Sequence, residues 1–240
     1  HTRGYIHCSW RLNGNCYPMN QPTSAIETAW WKLVTFGFRL LYNEMAWTYD
    51  TVSWVVSLGQ WRSWQRAALK HLGTQPGELV LELAHGTGNL QLDLYAAGYQ
   101  RVAYDLSPYM GRIARRKLLR HHVVAPLVRG RAQQLPFPNQ LFDGVVSTFP
   151  TPFIIEKDTL QEVYRVLKPG RRLVIVPNGI LTGGGVAKDA LEAAYRATGQ
   201  RGPWPVDLEQ RFEEAGFAVQ LLIEQCPYSI AQVVVATRQD

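Results

Sequence analysis

The chain is poor in sulfur and in charge. Its 240 residues hold three cysteines, Cys8, Cys16 and Cys226. Three cysteines cannot build the disulfide framework of a secreted domain of this size, so a reducing cytoplasm is the expected setting. His7, Cys8 and Cys16 lie close in sequence, but a zinc site asks for a second ligand pair that the neighbouring residues do not offer, and no metal is expected. Charged residues are 18% of the chain against 46% hydrophobic, which excludes a disordered polymer and leaves ample material for a core. A long apolar run is also missing. The stretch 30–58 is broken by Lys32, Arg39, Asn43, Glu44 and Asp50, so neither a spanning helix nor a signal peptide is expected. The opening "HTRGYIHCSWRLNGNCYP" lacks a start methionine and any periodicity. Met19 reads as the native start, and residues 1–18 as an atypical leader.

What the chain does have is alternation. "ELVLEL" is a buried strand, and Asn89 to Ala97 a helix closed by Gly98. "RVAYD" is a second strand, followed by a helix from Pro108 to Arg120 with proline in its first turn. "PLVRG", "FDGVVST" and "RRLVIVP" supply three more strands. Asp158-Thr159-Leu160-Gln161 reads as a capping-box start for a helix running to Leu167, which "KPG" ends. Helices are also expected from Ala187 to Ala197 and from Leu208 to Ala215. "AVQLLIEQ" and "AQVVVATR" close the chain as an antiparallel pair. The pattern predicts an α/β, Rossmann-like, seven-stranded and mostly parallel sheet, with helices on both faces, an antiparallel last strand and an antiparallel edge. Residues 19–72 read as an N-terminal helical cap holding six of the eight tryptophans, and residues 73–240 as a ligand-binding domain.

The stretch "LVLELAHGTGNLQLDL" runs a strand through two glycines into a helix, which lets backbone approach a ligand closely. A dinucleotide turn wants G-x-G-x-x-G, and Gly86-Thr87-Gly88-Asn89-Leu90-Gln91 lacks the third glycine. The related turn that holds S-adenosylmethionine fits better. Glu82 in the first strand can meet a cationic amino group, and Asp105 ends the second strand, where it can accept from two ribose hydroxyls. Successive strand C-termini are where open α/β sheets bind ligands.

"VLELAHGTGNL", "VAYDLSPYM", "AQQLPFPNQLFDGVVS" and "VYRVLKPGRRLVIV" resemble the successive motifs of class I S-adenosylmethionine-dependent methyltransferases over about residues 78–176. "YDTVSWVVSLGQWRSWQRA", "GTGNL" and "LPFPNQLFD" are similar to the ubiquinone/menaquinone biosynthesis C-methyltransferases, which are cytoplasmic or membrane-peripheral and methylate a lipid-tailed ring. The resemblance implies roles. Glu82, Ala84, Gly86 and Gly88 would line the methionine end of the cofactor, and Asp105 would hold the ribose. Leu106 and Met110 would flank the adenine, while Ala132 and Gln133 would reach its edge. Thr148 and Phe149 would border the sulfonium, and Tyr49 would close the site from the cap. Two departures stand out. Pro150-Thr151-Pro152-Phe153 replaces a Gly-x-Arg-Asn-like segment that helps position the reacting ring, and His85 stands where a small residue is usual.

The implied product is S-adenosylhomocysteine, and the implied partner a small apolar or aromatic acceptor, quinone-like or lipid-like. His85, Tyr42 and Glu44 are the candidates for a general base. The cap tryptophans have two readings, packing on the sheet or forming an apolar cavity or membrane-interface contact. Arg112, Arg116 and Arg120 share a helix face, either solvated or contacting the phosphates of an RNA substrate; no RNA-binding appendage accompanies them. A non-catalytic binding module of the same fold would have lost Glu82, Gly86, Gly88 or Asp105, and all are present.

Overall fold

A computed structural model of the chain describes residues 45–182 and 207–240, together with residues 11–12, 15–16, 29, 32–34 and 36–37. The chain falls into two compact units, His1–Phe38 and Arg39–Asp240. In the first, β1 (Arg11–Leu12) pairs antiparallel with β2 (Asn15–Cys16). His7, Cys8, Trp30, Trp31, Tyr42, Glu44 and the helix expected over 187–197 lie outside the described residues. Among the described residues no helix is long and apolar enough to cross a membrane, and no cluster of three His, Cys, Asp or Glu is arranged to hold a metal.

The second unit is a single mixed sheet. Four parallel strands, β5 (Leu127–Arg129), β4 (Gln100–Asp105), β3 (Leu79–Leu83) and β6 (Phe142–Thr148), lead to β7 (Leu167–Val176), also parallel. The last strand, β10 (Ser229–Arg238), runs antiparallel to β7 on one side and to β9 (Phe217–Cys226) on the other. The antiparallel strand therefore lies inside the sheet, and β9 forms the edge. An eighth strand, β8 (Gly179–Leu181), pairs with the first residues of β10 where β7 pairs with its last, so it extends β7 beyond a break at residues 177–178. The expected seven strands are thus eight segments in seven positions.

Period-two alternation assigns the two faces. Leu81, Val145, Leu173, Ile175 and Val234 pack against α5 (Lys157–Val166) and α6 (Leu208–Glu214). Val80, Val146, Val174, Val176, Val233 and Val235 pack against α3 (Asn89–Ala96) and the cap. The cap comprises a 3₁₀ turn (Ala46–Thr48), α1 (Tyr49–Val56), α2 (Trp61–Ala67) and a second 3₁₀ turn (Ala68–His71). Trp64 anchors it, with its ring buried and its Nε1 donating to Ser229 Oγ at 2.9 Å. The indole lies flat on β8, where a Cβ at Gly179 would come within 2.0 Å of it.

Two local expectations fail. α5 starts at Lys157 rather than being capped by Asp158. Glu156 is in the extended region at the cap position, and its carboxylate accepts from Gln133 Nε2 at 2.7 Å instead of capping the helix. β7 begins at Leu167, ahead of "KPG", because Leu167 pairs with Phe142 before the ladder slips and resumes at Arg172 opposite Gly144. Gly170, at φ +68°, turns the slipped segment, and Asp143 accepts from Lys168 Nζ and from Leu79 N–H beside it.

Candidate active site

The C-terminal ends of β3, β4 and β6 meet beneath the cap. Beyond β3 the chain takes three left-handed residues in five: Ala84 at φ +57°, Gly86 at +53° and Gly88 at +82°. Glycine suits that region, whereas alanine there costs about 1–2 kcal/mol. Gly88 is also a close-approach position. A Cβ on it would lie 3.0 Å from Ala114 of α4 (Pro108–Arg120). A Cβ on Gly86 would meet nothing within 4 Å, so the loop presents bare backbone to open space there. As N-cap of α3, Gly88 supplies no side chain to the first-turn amides, which favours an anionic ligand group at this end.

Asp105 ties the loop to the next strand. Its Oδ2 accepts from Gly86 N–H at 2.9 Å and its Oδ1 from Ser107 N–H at 2.7 Å. Each oxygen keeps a second lone pair for a ligand hydroxyl. At the end of β6, Phe149 is also left-handed, at φ +51°, with its N–H donating to Val176 O at 2.7 Å. Non-glycine residues in this conformation gather where surrounding structure enforces them, often at ligand sites.

The cap closes over these ends. Trp61 stacks on Phe149, with ring centroids 3.8 Å apart, and Tyr49 meets Trp61 edge-on at 6.2 Å. Gln65 donates to Thr148 Oγ1 at 3.2 Å. Arg62 and Arg66 both reach Asp93 of α3, at 2.7 and 2.9 Å. The cleft between cap and loop is lined by Tyr49, Trp61, Gln65, Ala84, His85, Gly86, Thr87, Asn89, Thr148 and Phe149. Its cavity of about 20 Å³ holds little more than one water molecule.

A polar knot pins the cap to the loop. Asp50 of α1 accepts from Thr87 Oγ1 at 2.6 Å, Asn89 Nδ2 at 3.0 Å and Lys117 Nζ at 2.5 Å. Lys117 also donates to Thr87 Oγ1 at 3.1 Å and to Asn89 Oδ1 at 2.7 Å. Burial works against charge on Asp50, but the bonds from Lys117, Thr87 and Asn89 outweigh it and hold its carboxyl below the usual range. Lys117 is pushed down by burial, with Asp50 opposing the shift.

The structure brings five of the expected cofactor residues together on the cleft: Tyr49, Ala84, Gly86, Thr148 and Phe149, with the candidate base His85 among them. Asp105 joins them through Gly86. Others sit elsewhere. Glu82 is buried beneath the loop, where its Oε2 accepts from Gln91 Nε2 at 2.6 Å, and it does not line the cleft. Met110 is buried under α4, on the face it shares with Ala114 and Leu118. Leu106 is exposed, Ala132 is buried, and Gln133 is engaged by Glu156. Sequence reasoning missed Asp50, Thr87, Asn89, Gln65 and Lys117, and of the cap tryptophans it is Trp61 that lines the cleft. Helical spacing offered a signal for Lys117, which follows Ala114 by three positions on the inward side, while Arg112, Arg115, Arg116 and Arg120 face solvent.

Burial pushes the Glu82 carboxyl up to about 8 from an ordinary 4.5. Below pH 4.5 the folded and unfolded chains both hold this proton. As pH rises toward about 8 only the unfolded chain ionises freely, so stability falls across that window. Glu82→Gln is expected to melt higher than the parent at about pH 8 and close to it at about pH 5. A difference independent of pH in thermal denaturation would contradict this. For the knot, Asp50→Asn and Lys117→Met should each cost about 1–2 kcal/mol in denaturant titration, since each breaks charge-assisted bonds. The double variant should lose less than the sum by at least about 0.5 kcal/mol. Strict additivity would mean the two side chains act independently.

Comparison with known proteins places this geometry. Residues 37–198 match the model of the ubiE/COQ5 methyltransferase family. A demethylmenaquinone methyltransferase of Streptomyces avermitilis is 37% identical over 136 residues, 56% of this chain and 57% of that protein. One from Beutenbergia cavernae is 39% identical over 136 residues, 56% and 55% of the two chains. The matched stretch thus spans a little over half the length of these relatives. Among solved structures, geranyl diphosphate C-methyltransferase from Streptomyces coelicolor A3(2), in complex with Mg²⁺, geranyl-S-thiolodiphosphate and S-adenosyl-L-homocysteine, superposes with a TM-score of 0.58. It is 13% identical, covering 74% of this chain and 76% of that one, a likeness of fold. With the family model matched over well more than half its length, the chain belongs to the ubiE/COQ5 methyltransferase family.

Proposed function

We propose that the chain is an S-adenosylmethionine-dependent methyltransferase acting on a small apolar or aromatic acceptor of quinone-like or lipid-like chemistry. The observation that carries this reading is Asp105, whose carboxylate is held by Gly86 and Ser107 at the junction of two parallel strands, with lone pairs to spare for a ligand diol. The left-handed glycine loop and the uncapped start of α3 fit the anionic end of an amino-acid-bearing ligand. Both named relatives are demethylmenaquinone methyltransferases, which supports a ring acceptor.

When bound, S-adenosylmethionine supplies a methyl group already activated by its sulfonium. The residues of this chain then have three tasks: orientation, exclusion of water and removal of a proton. Orientation alone contributes on the order of 7–11 kcal/mol in well-aligned reactions. Tyr49, Trp61 and Phe149 provide apolar walls, and the closed cap keeps bulk water out. Drug-sized ligands need roughly 300 Å³ or more, so ligand entry requires the cap to part from the loop.

The outward face of the cap supports the further proposal of a membrane-peripheral contact. Trp47 and Trp54 are 75% and 64% exposed, with Val55 and Leu58 beside them on the outward side, whereas Ser53 and Ser57 turn inward. Tryptophan favours the membrane–water boundary, where a lipid-tailed acceptor would be met.

Calorimetric titration of the full chain tests the cofactor. Micromolar binding of S-adenosylmethionine and S-adenosylhomocysteine is expected, with none for NAD. Asp105→Asn should weaken the first two by about tenfold or more, the equivalent of about 1.4 kcal/mol. A folded chain that binds neither would contradict the reading.

A further inference from the structure

Methylation of a ring carbon or a hydroxyl leaves one proton to be removed, and among the described residues of the cleft His85 is placed to take it. His85 follows Ala84 in the glycine loop and is 4% exposed. Its Nδ1 lies 2.9 Å from Gly86 O. A carbonyl oxygen only accepts, so Nδ1 carries the ring proton and Nε2 keeps a lone pair. Among the described residues no group bonds Nε2, and the side chain lines the cleft with Tyr49, Trp61 and Phe149. His85 lines the cleft, so Nε2 is open to a ligand there.

We propose that His85 is the catalytic proton acceptor of this site, its Nε2 taking the proton of an acceptor hydroxyl; the proposal rests on the methyl-transfer reading above. The O–H bond breaks with its electron pair left on oxygen, which enriches the ring. Once a ring carbon carries the methyl, the proton of its own C–H bond passes to that oxygen and restores the hydroxyl, so one proton in all is released. An N–H bond forms at Nε2, and the imidazolium returns the proton to water when the cap opens. Burial holds the imidazole below its ordinary 6.5, so it stands neutral and ready at neutral pH. The charged neighbours suit the task. Asp105, the last residue of β4, favours the imidazolium once formed. Asp50 and Lys117, above Thr87, neutralise each other. Glu82, below the loop, is held largely protonated at neutral pH. Tyr49 faces the cleft from α1.

The test uses the full chain, S-adenosylmethionine and, as acceptor probe, the hydroquinone form of a 1,4-naphthoquinone with a short prenyl tail. Nitrogen-15 NMR of the chain without ligands should show His85 protonated at Nδ1, titrating below 6.5. His85→Asn, whose amide replaces the donor to Gly86, should bind S-adenosylhomocysteine within about threefold of the parent. Its kcat should fall about 100- to 10,000-fold and lose the acid limb of its pH profile. His85→Gln serves if melting shows the first variant unfolded. Transfer within about threefold of the parent, or an Nε2–H tautomer, would overturn the role of His85 alone. A parent chain that binds no S-adenosylhomocysteine would instead overturn the methyl-transfer reading beneath it, and the role of His85 with it.

Discussion

The Asp50–Lys117 pair is the contact on which the site depends. It joins three elements distant in sequence: the first cap helix, the glycine loop with the start of α3, and the third turn of α4. Half-buried charges of this kind are costly when alone and useful when paired, because each demands its partner in one geometry. Here that geometry fixes the height of the cap above the loop. The other cap contacts follow from it: the Trp61–Phe149 stack, the Gln65–Thr148 bond and the arginine pair on Asp93. Trp64, packed on Gly179, sets the far end of the same lever.

The same region concentrates strain. Ala84 and Phe149 hold left-handed backbone at the ends of neighbouring parallel strands, and both line the cleft. Neither conformation is favoured locally, so the sheet and the cap together must enforce them. A buried imidazole and a buried carboxyl, His85 and Glu82, add to that load. A loop so constrained presents its amides and ring nitrogen in fixed directions, as transition-state positioning requires.

Much of the sheet could be read from sequence because its signals are local. Leu79–Leu83 and Phe142–Thr148 are strand-length stretches rich in Leu and Val, and Gly98 and Gly216 end their helices with positive φ. Pro108 announces α4, and in the structure Ser107 Oγ caps its first turn by accepting from Met110 N–H. The failures are tertiary. Nothing near Asp158 reveals that Gln133 draws Glu156 away from capping, and nothing in "KPG" reveals that Leu167 already pairs with Phe142. Asp50 and Lys117 lie 67 positions apart, so no spacing rule links them. The motifs group Glu82 with the glycine loop and Asp105, but they do not reveal that Glu82 accepts from Gln91 and lies outside the cleft lining.

If the knot couples cap and loop, they must open as one. Hydrogen exchange of the full chain, followed by residue, measures this directly. The amides of α1 and those of residues 86–89 should exchange with a common opening free energy, and saturating S-adenosylhomocysteine should slow both sets together. Protection of the loop with α1 left unchanged would show that the cap moves independently, and would contradict the account.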